Sequence, residues 1–237
     1  MSSSNSLPGE KTAQELIAAA EEHALSHPFE EILTEGAKGK ITEDHSFRLA
    51  GRLWAIKRLM YYTYGNWAQG INLNEYPASI HYLLAKQQYD ESNQEMNYAD
   101  EILARSWVRT QSRMFKHEYC EHVTASRISR LIFTYRAMAN YAHNIRIAAL
   151  NLGPKIIELK WLEQFSKKYP DESLRRIFQS QIAETASHVQ MGRFIAERFL
   201  VTEVDSKLVK TETAVVCTDY VSAMQEITDF VLEGTSE

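Results

Sequence analysis

A chain of 237 residues can bury a substantial core within one domain, and 44% hydrophobic with 24% charged residues is ordinary for a globular protein. A net charge of −5 removes any electrostatic reason to expect nucleic acid, and no apolar run approaches the roughly 20 residues of a membrane-spanning helix. Nine glycines and five prolines are too few for the many tight turns of an all-β fold.

Apolar residues recur at helical spacing almost throughout, with no strand-period segment, no internal repeat and no linker. Residues 1–11 are expected to form a disordered tail, and 12–237 a single domain. The first helix is predicted over 12–27, ended by Pro28, with a short piece over 29–34 that stops at Gly36. Thr42 can cap a long helix to about residue 66, whose apolar positions Leu49, Leu53, Ile56 and Met60 recur at spacings of three and four. A turn over 65–77 leads to a helix over 77–105 that opens on Pro77. One continuous helix is expected over 118–152, broken by Gly153-Pro154. Helices over 154–169, 171–200 with Asp171 as cap, and 203–233 ending at Gly234 complete an all-α, single antiparallel bundle of about seven helices.

The chemistry-bearing residues sit on these helices. Asp90-Glu91-Ser92-Asn93-Gln94 offers a carboxylate, but no histidine follows Glu91 at three or seven residues. Gln181 through His188 ends in an imidazole, with Gln181 and Thr185 at the preceding positions of the same face. Glu184 stands one turn before His188 and, like Glu91, could hold one imidazole tautomer for acid or base work. Trp54, Tyr61 and Tyr64 recur at seven and three residues, a face that could line a polar-aromatic substrate pocket. Tyr135, Arg136, Tyr141, His143 and Arg146 form a second such group, in which an inward arginine would suit a carboxylate or phosphate. Glu118 and His122, with His117 and Glu121, have a spacing compatible with shared metal binding. Cys120 and Cys217 form no metal or redox pattern and read as buried thiols, consistent with a reduced, cytoplasmic setting.

The order His27-Pro28-Phe29, Gly36, Ile41-Thr42-Glu43-Asp44 and Phe47, followed late in the chain by Phe178 to His188 and Phe230-Val231-Leu232-Glu233-Gly234, resembles the heme-oxygenase-like fold. That group includes the TenA thiaminases, the PqqC synthases and non-heme di-iron oxidases. The resemblance implies a di-iron ligand set of which Glu91 and His188 survive. The other ligand positions fall on Tyr98, near Leu150 and Asn151, and on Gln181 and Thr185. A second resemblance, to ferritin-like di-iron proteins, matches Glu91-Ser92-Asn93-Gln94 to Glu-x-x-His with glutamine for histidine. It matches Thr185-Ala186-Ser187-His188 to the same motif with threonine for glutamate.

These resemblances imply a small-molecule metabolic or biosynthetic enzyme doing oxidation or acid/base chemistry in a bundle pocket without a complete di-iron site and without a tightly bound cofactor. His188, Glu184, Glu91 and Tyr98 are the expected catalytic group, Tyr98 donating to a developing oxyanion. Trp54, Tyr61, Tyr64, Gln94, Gln181 and Thr185 would contact substrate. Two alternatives stand beside this: an iron oxygenase with a shifted or mononuclear site, and a non-catalytic partner or binding subunit. A homodimer is an open expectation; nucleic acid and membrane are not expected as partners.

Overall fold

The computed structural model describes residues 8–25, 27–69, 76–110 and 126–233. Among them the regular structure is entirely helical: α1 (Pro8–Leu25), α2 (Phe29–Ala37), α3 (Glu43–Gln69), α4 (Ala78–Thr110), α5 (Ser126–Ala137), a 3-10 turn (Met138–Asn140), α6 (His143–Leu152), α7 (Pro154–Lys168), α8 (Glu172–Phe199) and α9 (Glu203–Leu232). α3 packs along α4, α8 lies against α7, α6, α1 and α4, and α9 covers α5, α6 and α1. Buried apolar side chains from α1 through α9 form one continuous cluster.

Local chemistry sets the helix ends. Asp171 accepts from the Leu174 amide at 3.1 Å, and Thr202 with Asp205 forms a reciprocal capping box at the start of α9. His27-Pro28-Phe29 has a comparable role: the Phe29 amide donates to His27 Nδ1 at 3.0 Å, so the imidazole satisfies a first-turn donor of α2. Phe29 then packs edge-on against Trp161 at 5.3 Å, and Trp161, Phe165, Tyr169 and Phe178 complete an aromatic knot joining α2, α7 and α8.

Two expectations are corrected. Residues 8–11 belong to α1 rather than to a tail, because the helix start presses on α8: a Cβ on Gly9 would lie 2.2 Å from the Ala196 carbonyl oxygen. The helix expected over 118–152 is divided, so the bundle has more segments than about seven. Residues 118–125 lie outside the described residues, and Tyr141 adopts extended backbone (φ −93, ψ 160) between α5 and α6. No proline or glycine marks that break. Tertiary bonds hold it, from Arg146 Nη1 to the Ala139 carbonyl at 3.0 Å and from the Tyr141 hydroxyl to Glu212 at 2.8 Å. The expected stop at Gly234 lies outside the described residues, and Glu233 occupies the C-cap.

One close approach positions the interior of the bundle. A Cβ at Gly192 of α8 would sit 2.5 Å from the Cβ of Asn151, so glycine lets α6 and α8 touch at Asn151.

Burial lowers the His27 pKa from 6.5 to about 4, the imidazole being held neutral as a cap acceptor. A depressed histidine stabilises the fold fully above the unfolded value near 6.5, and that contribution is lost as pH falls towards 4. Denaturant unfolding should therefore show stability declining from pH 6.5 to pH 4, with a shallower decline in His27→Gln. An unchanged slope in the variant would show that His27 protonates freely in the fold.

Candidate functional site

The interior between α3, α4, α7 and α8 is filled by charge. Lys57 stands on α3, Glu91 on α4, Lys155 and Glu158 on α7, and each is at most 3% exposed. They arrive there by helical register. Leu53, Lys57, Met60 and Tyr64 share one face of α3, while Lys155, Glu158, Leu162 and Phe165 share one face of α7. Lys155 Nζ is ion-paired with Glu91 Oε1 and with Glu158 Oε2, the latter at 2.7 Å. Lys57 Nζ is ion-paired with Glu158 Oε1 and lies 3.5 Å from Glu91 Oε2, and it also donates to the Gln94 side-chain oxygen. Two ammonium groups thus alternate with two carboxylates in a closed lattice. Burial works against the charge on Glu158, but Lys155 and Lys57 outweigh it and hold the carboxyl well below its usual range. Burial also disfavours the Lys155 charge, yet Glu158 and Glu91 raise its pKa above the ordinary lysine value.

Beside the lattice lies His188, 2% exposed, with Nε2 at 3.0 Å from Asp90 Oδ2 and Nδ1 at 3.6 Å from Glu91 Oε1. Asp90 Oδ2 also receives Lys86, whose side chain is 39% exposed and reaches the surface. Burial pushes the His188 pKa down, and Lys155 adds to this, while the Asp90 bond opposes it. A neutral imidazole facing a carboxylate acceptor carries its proton on Nε2, which leaves the Nδ1 lone pair uncommitted. Nδ1 has no hydrogen-bond partner, and neither do Thr185 Oγ1 or Gln181 Nε2 on the same face of α8. Gln181 Oε1 is taken by the Tyr98 hydroxyl at 3.3 Å, so its amide nitrogen is the free donor.

Among the sequence candidates, Glu91, Tyr98, Gln94, Gln181, Thr185 and His188 are all buried in this interior. Tyr64 joins them: its hydroxyl donates to Asn151 Oδ1 at 3.2 Å, and Gln87 donates to the same atom at 2.8 Å. Glu184 pairs with Gln94 Nε2 at 2.7 Å, while the imidazole partner is Asp90. Trp54 lies under the Arg58 guanidinium, and Tyr61 packs on the exposed Tyr62. His117, Glu118, Cys120, Glu121 and His122 lie outside the described residues. Sequence reading missed Lys57, Lys155, Glu158 and Asp90. The signal was there: a lysine among Leu53, Met60 and Tyr64, and a Lys-x-x-Glu pair on an apolar helix face.

The donor set does not fit a di-iron centre. Both carboxylates that could bridge two irons are already neutralised by ammonium groups, and Gln94, Gln181, Thr185 and Tyr98 are weak ligands. Among the described residues no three His, Cys, Asp or Glu side chains are arranged to hold a metal ion.

Removing one member of a buried ion pair strands its partner at a cost of about 3–5 kcal/mol. Lys57→Met should therefore lower unfolding free energy by about that amount, and Glu158→Gln in the same chain should recover part of it. Additive losses in the double-mutant cycle would show that the two side chains are not coupled.

Compared with protein-family models, with curated proteins and with solved structures, the chain matches none.

Proposed function

We propose that the protein is a small-molecule enzyme that moves protons with the Asp90–His188 dyad, in a bundle interior whose charge is balanced by lysines instead of metal. The observation that carries this reading is the uncommitted Nδ1 of a buried, neutral His188 whose other nitrogen is held by Asp90. A carboxylate that fixes the imidazole tautomer and supports the imidazolium formed on proton uptake is the arrangement of a general base. The substrate class that suits it is a neutral molecule with an acidic C–H or O–H beside a carbonyl oxygen. The proton passes to Nδ1 and the electron pair moves to the substrate oxygen. There Gln181 Nε2 and Thr185 Oγ1 are free to donate. Glu91, across from Nδ1, then faces the new N–H, and the proton returns to the substrate in the second half of the cycle.

The placement of inward residues supports the ferritin-like resemblance more than the heme-oxygenase-like one. Such bundles take one glutamate from each of two helices and Glu-x-x-His from each of two others. Here α3 offers Lys57, α4 offers Glu91 and Gln94, α7 offers Glu158, and α8 offers Thr185 and His188. An antiparallel order of these four helices belongs to the same reading, whereas acid/base chemistry of the TenA or PqqC kind belongs to the heme-oxygenase-like one. The reading as a non-catalytic subunit draws on the near-complete burial of the lattice.

Solvent deuterium incorporation into a panel of small carbonyl compounds, followed by NMR, tests the proposal. Wild type should exchange one position above the buffer rate, and His188→Ala and Asp90→Asn should lose about 10²–10⁴ in rate. Long-range 1H–15N spectra of His188 should show the Nε2–H tautomer. The non-catalytic reading gains if exchange stays at the buffer rate throughout, and a His188→Ala variant that exchanges as fast as an active wild type would remove the dyad from the chemistry.

A further inference from the structure

Arg146 is a buried cation outside the lattice. It is 5% exposed on the first turns of α6, and no carboxylate among the described residues is ion-paired with it. Nη1 donates to the Ala139 carbonyl, Nη2 contacts His143 Nε2, and the guanidinium lies 5.1 Å from the centre of the Trp67 ring. Nε has no partner. Arginine keeps its proton under all ordinary conditions, so the charge stays, and an unbalanced buried charge is costly. Burial pulls its pKa below the usual value, with only the Tyr76 phenol acting against this.

The same end of α6 lacks a side-chain cap. Ala142 occupies the N-cap, and the Asn144 amide instead meets the Tyr76 hydroxyl at 3.3 Å. An uncapped helix start concentrates unsatisfied N–H groups and the positive end of the helix dipole. Tyr76, His143 and Phe199 form a half-buried aromatic rim around it, the Tyr76 ring lying 5.8 Å from His143 and 5.5 Å from Phe199.

We infer that Arg146 and the N-terminus of α6 form a binding site for the oxyanion of a small organic acid, a carboxylate or phosphate whose apolar part rests on the Tyr76 and Phe199 rings. A guanidinium beside a helix N-terminus suits both anions. The site is distinct from the His188 interior and does not depend on its chemistry.

Thermal unfolding of the full chain, titrated with sodium benzoate or inorganic phosphate at ionic strength held constant with chloride, tests it. Wild-type Tm should rise saturably with at least one of the two, as binding to the folded state requires. The more effective anion identifies the carboxylate or the phosphate as the preferred head group. Arg146→Met loses the Ala139 bond together with the buried charge, so its own anion-free Tm is the baseline against which the response should be abolished. Arg146→Lys should retain a weaker response, and the Asn144 amide should shift in 1H–15N spectra of wild type during the titration. A purely structural strut would give no anion effect in wild type, which would overturn the proposal. A response that persists in Arg146→Met would also overturn the proposal.

A different observation carries a second inference. The outer face of α4 exposes Tyr82 (69%), Tyr89 (69%), Met96 (59%) and Leu103 (49%), spaced by sevens, with Ala85, Ser92 and Ala99 between them. This is a heptad seam about 30 Å long, from the rise of a helix. Large residues hold every a position and small ones every d position. In an antiparallel two-fold pair each a faces a d of the other copy, so every large side chain meets a small one, and Lys86 comes level with Asp100. We propose that the seam joins two copies of this chain. Sedimentation equilibrium should give a dimer for wild type and a monomer of unchanged Tm for Tyr89→Lys/Met96→Lys. A monomeric wild type, or a variant that remains dimeric, would overturn it.

Discussion

The ring of Lys57, Glu158, Lys155 and Glu91 is the constraint on which the rest of the interior depends. Four charged side chains have been taken out of water, and each is tolerable only because its neighbours carry the opposite sign. Removing any one leaves an odd charge in a dry place. The helices that bear them are correspondingly restricted: α3, α4 and α7 must keep their register for the ammonium and carboxylate groups to meet. His188 inherits its environment from this ring, since Lys155 helps to keep the imidazole neutral while Glu91 waits opposite Nδ1.

Much of this was legible in the sequence, for physical reasons. Helical periodicity is strong wherever a helix buries one face, so the long segments appear at nearly the right bounds. Glu91 and His188 stood out as the two ligand-type side chains left in an incomplete metal-ligand pattern, and both lie in the same buried interior. The lysines were passed over because a lysine is ordinarily a solvated residue, and only its register among Leu53, Met60 and Tyr64 betrays Lys57. Sequence reading offered Glu184 or Glu91 as the partner of His188; Glu91 Oε1 lies 3.6 Å from Nδ1, while Glu184 pairs with Gln94. The hydrogen-bond partner comes from across the helix pair, Asp90 Oδ2 at 3.0 Å from Nε2. The break between α5 and α6 left no local trace, because hydrogen bonds to Arg146 and Glu212 hold it.

That break has a role in the architecture. By ending α5 early it creates a new helix start at His143, and it folds Arg146 back over that start. The other end of α6 carries Asn151, packed against Gly192 and hydrogen-bonded to Tyr64 and Gln87. A ten-residue helix therefore carries a buried cation at one end and an amide in the polar interior at the other.

The ring also has a consequence for how the chain reaches its native state. Its members are distant in sequence, Lys57 lying 34 residues from Glu91 and 101 from Glu158. No local hairpin of helices can close it. An ensemble in which α3 and α4 have docked but α7 has not must either hydrate its buried charges or expose the apolar faces beside them. Such partly assembled states are raised in free energy, and long-range closure is slow. Charge neutrality thus acts as an assembly checkpoint, favouring an all-or-none transition over stepwise accretion of helices.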